Sequence, residues 1–440
     1  MSLEIMRRIM VMRKFTELFI TICKSQTYAI LVIAFCSLLL LIFSFTGYRL
    51  STNPRSRLIT VERLLEAGTF AHSSPADTTP MEMSADAVMI KGSLYSSKPP
   101  LYPVILATEA WPVKLLTGWK FHEHQTFFAR FLAFLNQIIP YLLFLFLALR
   151  FAIRTTSDRW TLILLMLSLS IGILPFAYTL DINNHTPGSL LLFFSFVILQ
   201  KLLSGEANGM RSYAGLGILC GLMAMFELPG LLFALFFLGL AATADRKKTI
   251  AAAGAFLIPV LFSSYLFYII SGNPLPFYTQ EGIYEYAGSF LEADRKIRTF
   301  TEPRINYLFH SLFGHHGMFV MSPVLLIGFA GLLSKMFTGG RGGRIMWIGI
   351  AICMVTIAGY VVFRTYNYGG WCIGMRWYIL FMPLLMFAGL EILAKMAKTW
   401  PGRIAVLVLI AMALPHQYQA LTDSAFVRSH WEIWLNELLQ

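Results

Sequence analysis

A lysine braced by prolines is a device for holding an anion. Lys98-Pro99-Pro100-Leu101 follows Tyr95 in a polar stretch beyond the first long apolar run. The lysine offers a point cation for a phosphate. Its two prolines fix the backbone and remove two donors, so the ammonium is presented at little entropic cost. The same pattern also suits a lysine that snorkels at a lipid boundary.

A second constellation is NYGGWCIGMRW, Asn367 to Trp377. Gly369, Gly370 and Gly374 allow a ligand to approach the backbone closely. Arg376 stands at the mouth of an apolar run, where a charge is costly unless it is paired or functional. Its planar fork matches two phosphate oxygens. Trp371 and Trp377 also fit an interfacial aromatic belt. Asn367, Tyr368, Gly369 and Gly370, together with Asn184, are the expected lining of a substrate cavity.

A third is LDINNHTP, Leu180 to Pro187. Asp181 and His185 share a face if the turn is helical. The carboxylate could serve as a base or a metal ligand, and the imidazole as a ligand or a phosphate donor. An Asp/Asn-rich turn capping the next helix is the plainer alternative. Among the acids at 62, 66, 77, 82 and 86, the spacing favours Asp86, nine residues before Tyr95, as the working carboxylate; Glu62 and Glu66 read as a solvated helix face. The pair His315-His316 stands at a span entrance and suits an interfacial role better than a metal.

These residues need a frame, and composition names it. The chain has 440 residues, 57% hydrophobic and 13% charged, with a mean hydropathy of +0.65. A soluble domain carries about 25% charged residues. Runs long enough to cross hydrocarbon as helices recur at about 27–47, 129–149, 160–179, 186–200, 212–226, 229–243, 249–271, 319–336, 345–363, 378–394 and 403–416. The pattern predicts an all-α polytopic membrane protein of about eleven transmembrane helices, forming a single domain over residues 1–440.

With the N-terminus inside, 19 of the 35 Lys and Arg but only six of the 23 acids fall in the inner segments. The net charge of +12 is therefore topological, as the positive-inside bias requires, and implies no nucleic-acid partner. The first span reads as a retained signal anchor, and residues 5–23 as a basic amphipathic segment on the inner leaflet. Five cysteines, mostly within spans, make no disulfide framework. The polar residues gather outside, in segments of about 48–128, 272–318 and 364–377, and these are expected to form the active-site face. In the first of them a helix ends at Gly68, and another lies near 101–118 at the interface between Trp111 and Trp119. No Walker loop, dinucleotide fingerprint or zinc-finger spacing occurs.

Taken together, the basic N-terminus, TNPRSRLITVERLLEAGTF, YSSKPPLYP, LDINNHTP, GNPLPFY, HSLFGHHGMFVMSP and NYGGWCIGMRW resemble bacterial integral-membrane glycosyltransferases of the GT-C superfamily. These are related to the aminoarabinose lipid A transferase and the protein O-mannosyltransferases, and the resemblance spans nearly the whole chain. It implies a GT-C-like helical core with interfacial helices in the first outer loop. It also implies transfer of a sugar from a polyprenyl-phosphate donor to a glycan, lipid or protein acceptor, with membrane lipids as surroundings. The expected location is the bacterial inner membrane, with the site on the periplasmic or extracellular side. Tyr95 and Lys98 map onto the segment that contacts the donor phosphate. Arg376, Arg57 and His185 are expected to join them. The acid that relatives carry soon after the first span is replaced here by Thr52-Asn53-Pro54-Arg55, which leaves Asp86 and Asp181 as the candidate catalytic carboxylates. No cofactor is required by the sequence, and a divalent metal is compatible with it. A transporter or flippase of a polyprenyl-linked lipid is the alternative from another class.

Overall fold

The computed structural model describes residues 27–45, 51–73, 86–286, 289, 302–365 and 367–438. The basic segment 5–23 and the acids at 77 and 82 lie outside them.

Every apolar run identified above folds as helix, three of them with a break. In chain order these are α1 (Thr27–Phe45), α4 (Gln125–Ala152), α5 (Arg159–Ser170), α6 (His185–Leu203), α7 (Met210–Phe226), α8 (Gly230–Ala244), α9 (Arg246–Ser271), α11 (Leu325–Phe337), α12 (Arg341–Arg364), α13 (Met382–Ala388), α14 (Leu390–Ala397) and α15 (Trp400–Thr422). Between them stand α2 (Thr52–Ala67), α3 (Leu101–Thr117), α10 (Arg304–Leu312) and the C-terminal α16 (His430–Leu438). Among the described residues, six helices are long and apolar enough to cross a membrane, or eight when two bent pairs count as single spans. The bends, of 49° and 51°, separate α5 from the 3₁₀ turn Leu174–Leu180 and α13 from α14. Helices α7, α8 and α11 are apolar but shorter.

Leu31, Phe35, Ile258, Leu261 and Val355 are exposed, as side chains facing lipid must be. Lipid is as apolar as leucine, so these helices associate through close packing and polar contacts rather than by escaping water. Gly217 and Gly221, four apart on α7, let α9 come in: a Cβ on Gly217 would stand 2.0 Å from the Ala252 carbonyl oxygen, and one on Gly221 2.5 Å from that of Phe256. This approach fixes the C-terminal end of α7, where Glu227 caps the helix.

In its described residues, the segment between α1 and α4 is more ordered than the sequence implied. Three short strands, β1 (Ala71–Ser73), β2 (Ala87–Ile90) and β3 (Ser93–Ser96), make an antiparallel sheet in the order β1-β3-β2. Tyr95 is therefore a strand residue, opposite Val88. Helix α2 ends at Gly68 as expected, and the φ of 64° there closes the helix in the left-handed region. Its buried face carries Asn53, Ser56, Arg57 and Thr60, because it packs on the sheet: the Ser56 hydroxyl reaches the Asp86 carbonyl at 2.7 Å and Ser96 Oγ at 2.7 Å. Helix α3 occupies the predicted place.

Candidate functional site

Lys98 sits where β3 gives way to α3. Pro99 and Pro100 lie at the helix start, where a missing N–H costs nothing. Ahead of them, the Ser97 amide donates to the Asp86 carbonyl at 3.2 Å and the Lys98 amide to Ser96 Oγ at 3.2 Å. The lysine is thus held from both sides. Its Nζ lies 2.5 Å from Asp86 Oδ2, and Ser97 Oγ donates to Asp86 Oδ1 at 2.6 Å.

Burial lowers the Lys98 ammonium to about 8, against the pull of Asp86 and with the push of Arg376 and Arg57. Burial pushes the Asp86 carboxyl up, but Lys98, Ser97 and Arg376 together hold it below the ordinary carboxylate value.

Arg57 comes from α2, one turn after Asn53. It donates to the Asn53 side chain and, across the site, to the Asn184 carboxamide. Burial lowers it to about 10, so it stays charged at neutral pH. Asn184 in turn donates to Glu227 and to the Phe226 carbonyl. Glu227 Oε1 stands 2.5 Å from His185 Nδ1. Asn184 and His185 begin α6, and Glu227 ends α7. The chain of contacts Arg57–Asn184–Glu227–His185 therefore ties α6 and α7 to α2.

Arg376 arrives from the far end of the sequence. Its loop is fixed by the Met375 amide to the His316 carbonyl at 2.9 Å, the Ile373 amide to the Ala425 carbonyl at 2.9 Å, and Tyr178 OH to the Ile373 carbonyl at 3.0 Å. Gly374 has φ of 74°, and a Cβ there would stand 2.6 Å from Leu174 Cδ1, so only glycine fits. The guanidinium lies 5.8 Å from the Phe426 ring and 5.9 Å from that of Trp377. Among the described residues it has no ion pair and no hydrogen bond, and its Nε is buried unpartnered.

These groups line one cavity of about 370 Å³. Arg57, Lys98 and Arg376 face it together with Asp86, Glu227 and His185; Asn53 and Asn184 fill the gaps; Tyr278, Tyr284, Tyr360 and Trp377 supply an aromatic wall. Ligand pockets of small molecules start at about this size. Three cations, only one of them ion-paired among the described residues, against two carboxylates make a receptacle for an anion. The aromatic wall suits a sugar ring or an isoprenoid stem.

The structure thus brings Arg57, Asp86, Lys98, Asn184, His185 and Arg376 together. It does not bring the other expected residues to the same cavity. Asp181 is buried outside the lining, where it accepts from Ser424 Oγ at 3.0 Å and from the Ala425 amide at 2.7 Å. Burial raises its carboxyl to about 6. Tyr95 faces a separate hollow of about 10 Å³. Tyr368 stacks on Tyr307 at 4.0 Å and donates to Glu302 at 2.6 Å, away from the cavity. Gly369 backs the Arg376 side chain, where a Cβ would stand 3.2 Å from Arg376 Cγ, and Asn367 and Gly370 form the turn behind it. Glu62 approaches His122 at 3.6 Å and Glu66 pairs with Lys114 at 2.8 Å. His315 and His316 touch each other through their Nδ1 atoms at 2.7 Å beneath Tyr368.

Sequence reasoning missed Glu227 as a site residue. Its signal was present: a lone acid between two apolar runs, in MAMFELPGLLF, is costly in a membrane and therefore functional or paired. Asn53 and the three tyrosines carried no such signal. Among the described residues, no group of three or more His, Cys, Asp or Glu is arranged to hold a metal ion.

No family model matches the sequence, and no curated protein matches it either. Among solved structures, the Archaeoglobus fulgidus oligosaccharyltransferase, tethered through a disulfide to an acceptor peptide containing the NVT sequon, is similar with a TM-score of 0.51 at 12% identity. The likeness covers 95% of this chain and 57% of that one. At this identity what the two share is a fold. The chain is an all-α polytopic membrane protein that shares a helical fold with that oligosaccharyltransferase.

Proposed function

We propose that the chain is a membrane glycosyltransferase. It takes a sugar from a polyprenyl monophosphate and hands it to an acceptor at the periplasmic face of a bacterial inner membrane. The observation that carries this reading is Arg376: an unpartnered guanidinium enters the same cavity as Lys98 and Arg57, with Asp86 beside them. The shared fold with an oligosaccharyltransferase supports it.

In this reading the donor phosphate sits among Arg376, Lys98 and Arg57, and the isoprenoid stem leaves between spans. An acceptor hydroxyl attacks the anomeric carbon from the face opposite the phosphate. Its proton passes to Asp86, the C1–O bond to phosphate breaks, and the electron pair leaves with the phosphate oxygen. The configuration at C1 is inverted. Fixed cations meet the charge that develops on the leaving group, which is where preorganised electrostatics contribute most. Glu227 acts on Arg57 through Asn184, so it positions a phosphate ligand rather than reacting.

The test is incubation of the purified chain with a polyprenyl-phosphate sugar labelled in the sugar. Release of lipid phosphate with labelled acceptor or free sugar supports the transferase. Movement of the intact lipid between leaflets without cleavage would replace it with the transporter reading.

A further inference from the structure

Helix α6 carries the candidate active site at one end and a second cationic hollow at the other. His185 and Lys201 stand sixteen residues apart in it, about 24 Å along the axis at the rise of a helix. That is most of the thickness of a bilayer core. The second hollow, of about 190 Å³, therefore opens at the opposite membrane surface.

Arg150 and Arg154 from the end of α4 and the turn after it, and Lys201 from α6, line this hollow, and no acid lines it. Ring pairs Phe144–Phe193 and Phe151–Phe196, at 5.0 and 6.3 Å, zip the two helices and force their ends together. Arg154 reaches out to Glu206 at 2.6 Å. Among the described residues, the side chains of Arg150 and Lys201 have no ion pair or hydrogen-bond partner. A cation at the end of each helix suits the helix dipole. The dipole does not explain why both helix ends turn their charges into one half-buried space, where like charges repel.

The walls decide what would relieve that repulsion. Phe151, Phe194 and Val197 make them apolar. Leu147 continues the apolar surface, and Leu143, one turn earlier on the same face of α4, is exposed where lipid lies. A free anion would use the cations and waste the walls. A phospholipid uses both, its phosphate between Arg150 and Lys201 and an acyl chain along Leu147 and Leu143. We propose that this hollow is a binding site for an anionic phospholipid, seated between α4 and α6 on the membrane surface opposite the catalytic cavity.

The test is native mass spectrometry of the full chain in detergent, titrated with phosphatidylglycerol, with phosphatidylcholine, and with phosphatidylglycerol plus millimolar inorganic phosphate. Wild type should retain phosphatidylglycerol over phosphatidylcholine, and inorganic phosphate should not displace it. The double variant Arg150→Gln, Lys201→Gln should lose affinity for the anionic lipid by roughly 30-fold, the product of two basic residues at a membrane surface. Arg150→Lys should keep the preference. A wild type without preference, a double variant that binds like wild type, or displacement by inorganic phosphate would each overturn the proposal. If the double variant does not fold, the wild-type arms and Lys201→Gln alone still decide it.

Discussion

Asp86 and Lys98 meet at 2.5 Å across the hairpin of β2 and β3. The contact places a carboxylate directly against the lysine that faces the cavity. One hairpin thus supplies both the group proposed to take a proton and a group proposed to hold the phosphate. The arrangement has consequences for pH.

In the folded chain Lys98 gives up its proton near pH 8, whereas an unfolded lysine does so near about 10.4. Between those values the unfolded state binds more protons, so the Lys98 contribution to stability rises with pH across that window. Donor binding runs the other way, because the neutral amine holds phosphate poorly. The donor KM should climb as pH passes about 8. Lys98→Arg should move that limb upward, since guanidinium stays charged. An unchanged limb in Lys98→Arg would remove the lysine from the profile. At the acid end, the depressed Asp86 carboxyl contributes stability above its unfolded value near about 3.9, lost as pH falls through the lower folded value.

The two candidate carboxylates should separate cleanly. Asp86→Asn keeps the shape of the hairpin and should reduce transfer by about 10²-fold or more, the scale of a lost general base. Asp181→Asn should leave transfer within about threefold of wild type, because Asp181 ties down Ser424 and Ala425 and is not in the lining of the cavity that holds Asp86. Its effect should appear in stability instead. With its carboxyl raised to about 6, wild type loses stability as pH rises from about 3.9 to 6, and the amide abolishes that slope. Denaturation scans across this range in detergent read it directly.

Glu227 should behave as a positioning residue. Glu227→Ala removes the partner of Asn184, and so loosens Arg57. We expect the donor KM to rise roughly tenfold while kcat changes less, the loss of one charge-assisted contact. Glu227→Gln keeps an acceptor oxygen and should restore most of the affinity. Equal losses in kcat for both variants would make Glu227 a reacting group.

Packing of α7 on α9 should be sensitive at Gly217. Ala there places a methyl 2.0 Å from the Ala252 carbonyl oxygen and should cost about 1–3 kcal/mol. Gly239→Ala on α8, with nothing within 4 Å, should be neutral or stabilise slightly through helix propensity. Thermal unfolding of the two variants in the same detergent tests the contrast.

Much of this was legible in the sequence because a membrane leaves few options for an apolar run. Each one folded as helix, with boundaries shifted by a few residues. The breaks at residues 171–173 and at Gly389 fall at glycines, the first of them just ahead of Pro175, a local signal that the long apolar runs around them masked. The chemistry of Lys98 and Arg376 could be read from residue type and from the prolines and glycines beside them. Their convergence could not, since 278 positions separate them and only the tertiary fold brings them to one cavity. Asp181 misled for the same reason: its motif is polar and lies beside His185, but a C-terminal segment, invisible to local spacing, takes up its carboxylate. Tyr368 and Asn367 sit in the loop that carries Arg376 and shape it from behind.

The most direct measurement is single-turnover sugar release from a labelled polyprenyl-phosphate sugar by wild type, Lys98→Ala and Arg376→Ala at pH 7. Cations that stabilise the leaving phosphate predict that each variant, folded and monodisperse, loses about 10²-fold or more in rate. Release at the wild-type rate by both variants would contradict the claim that this cavity carries out the transfer.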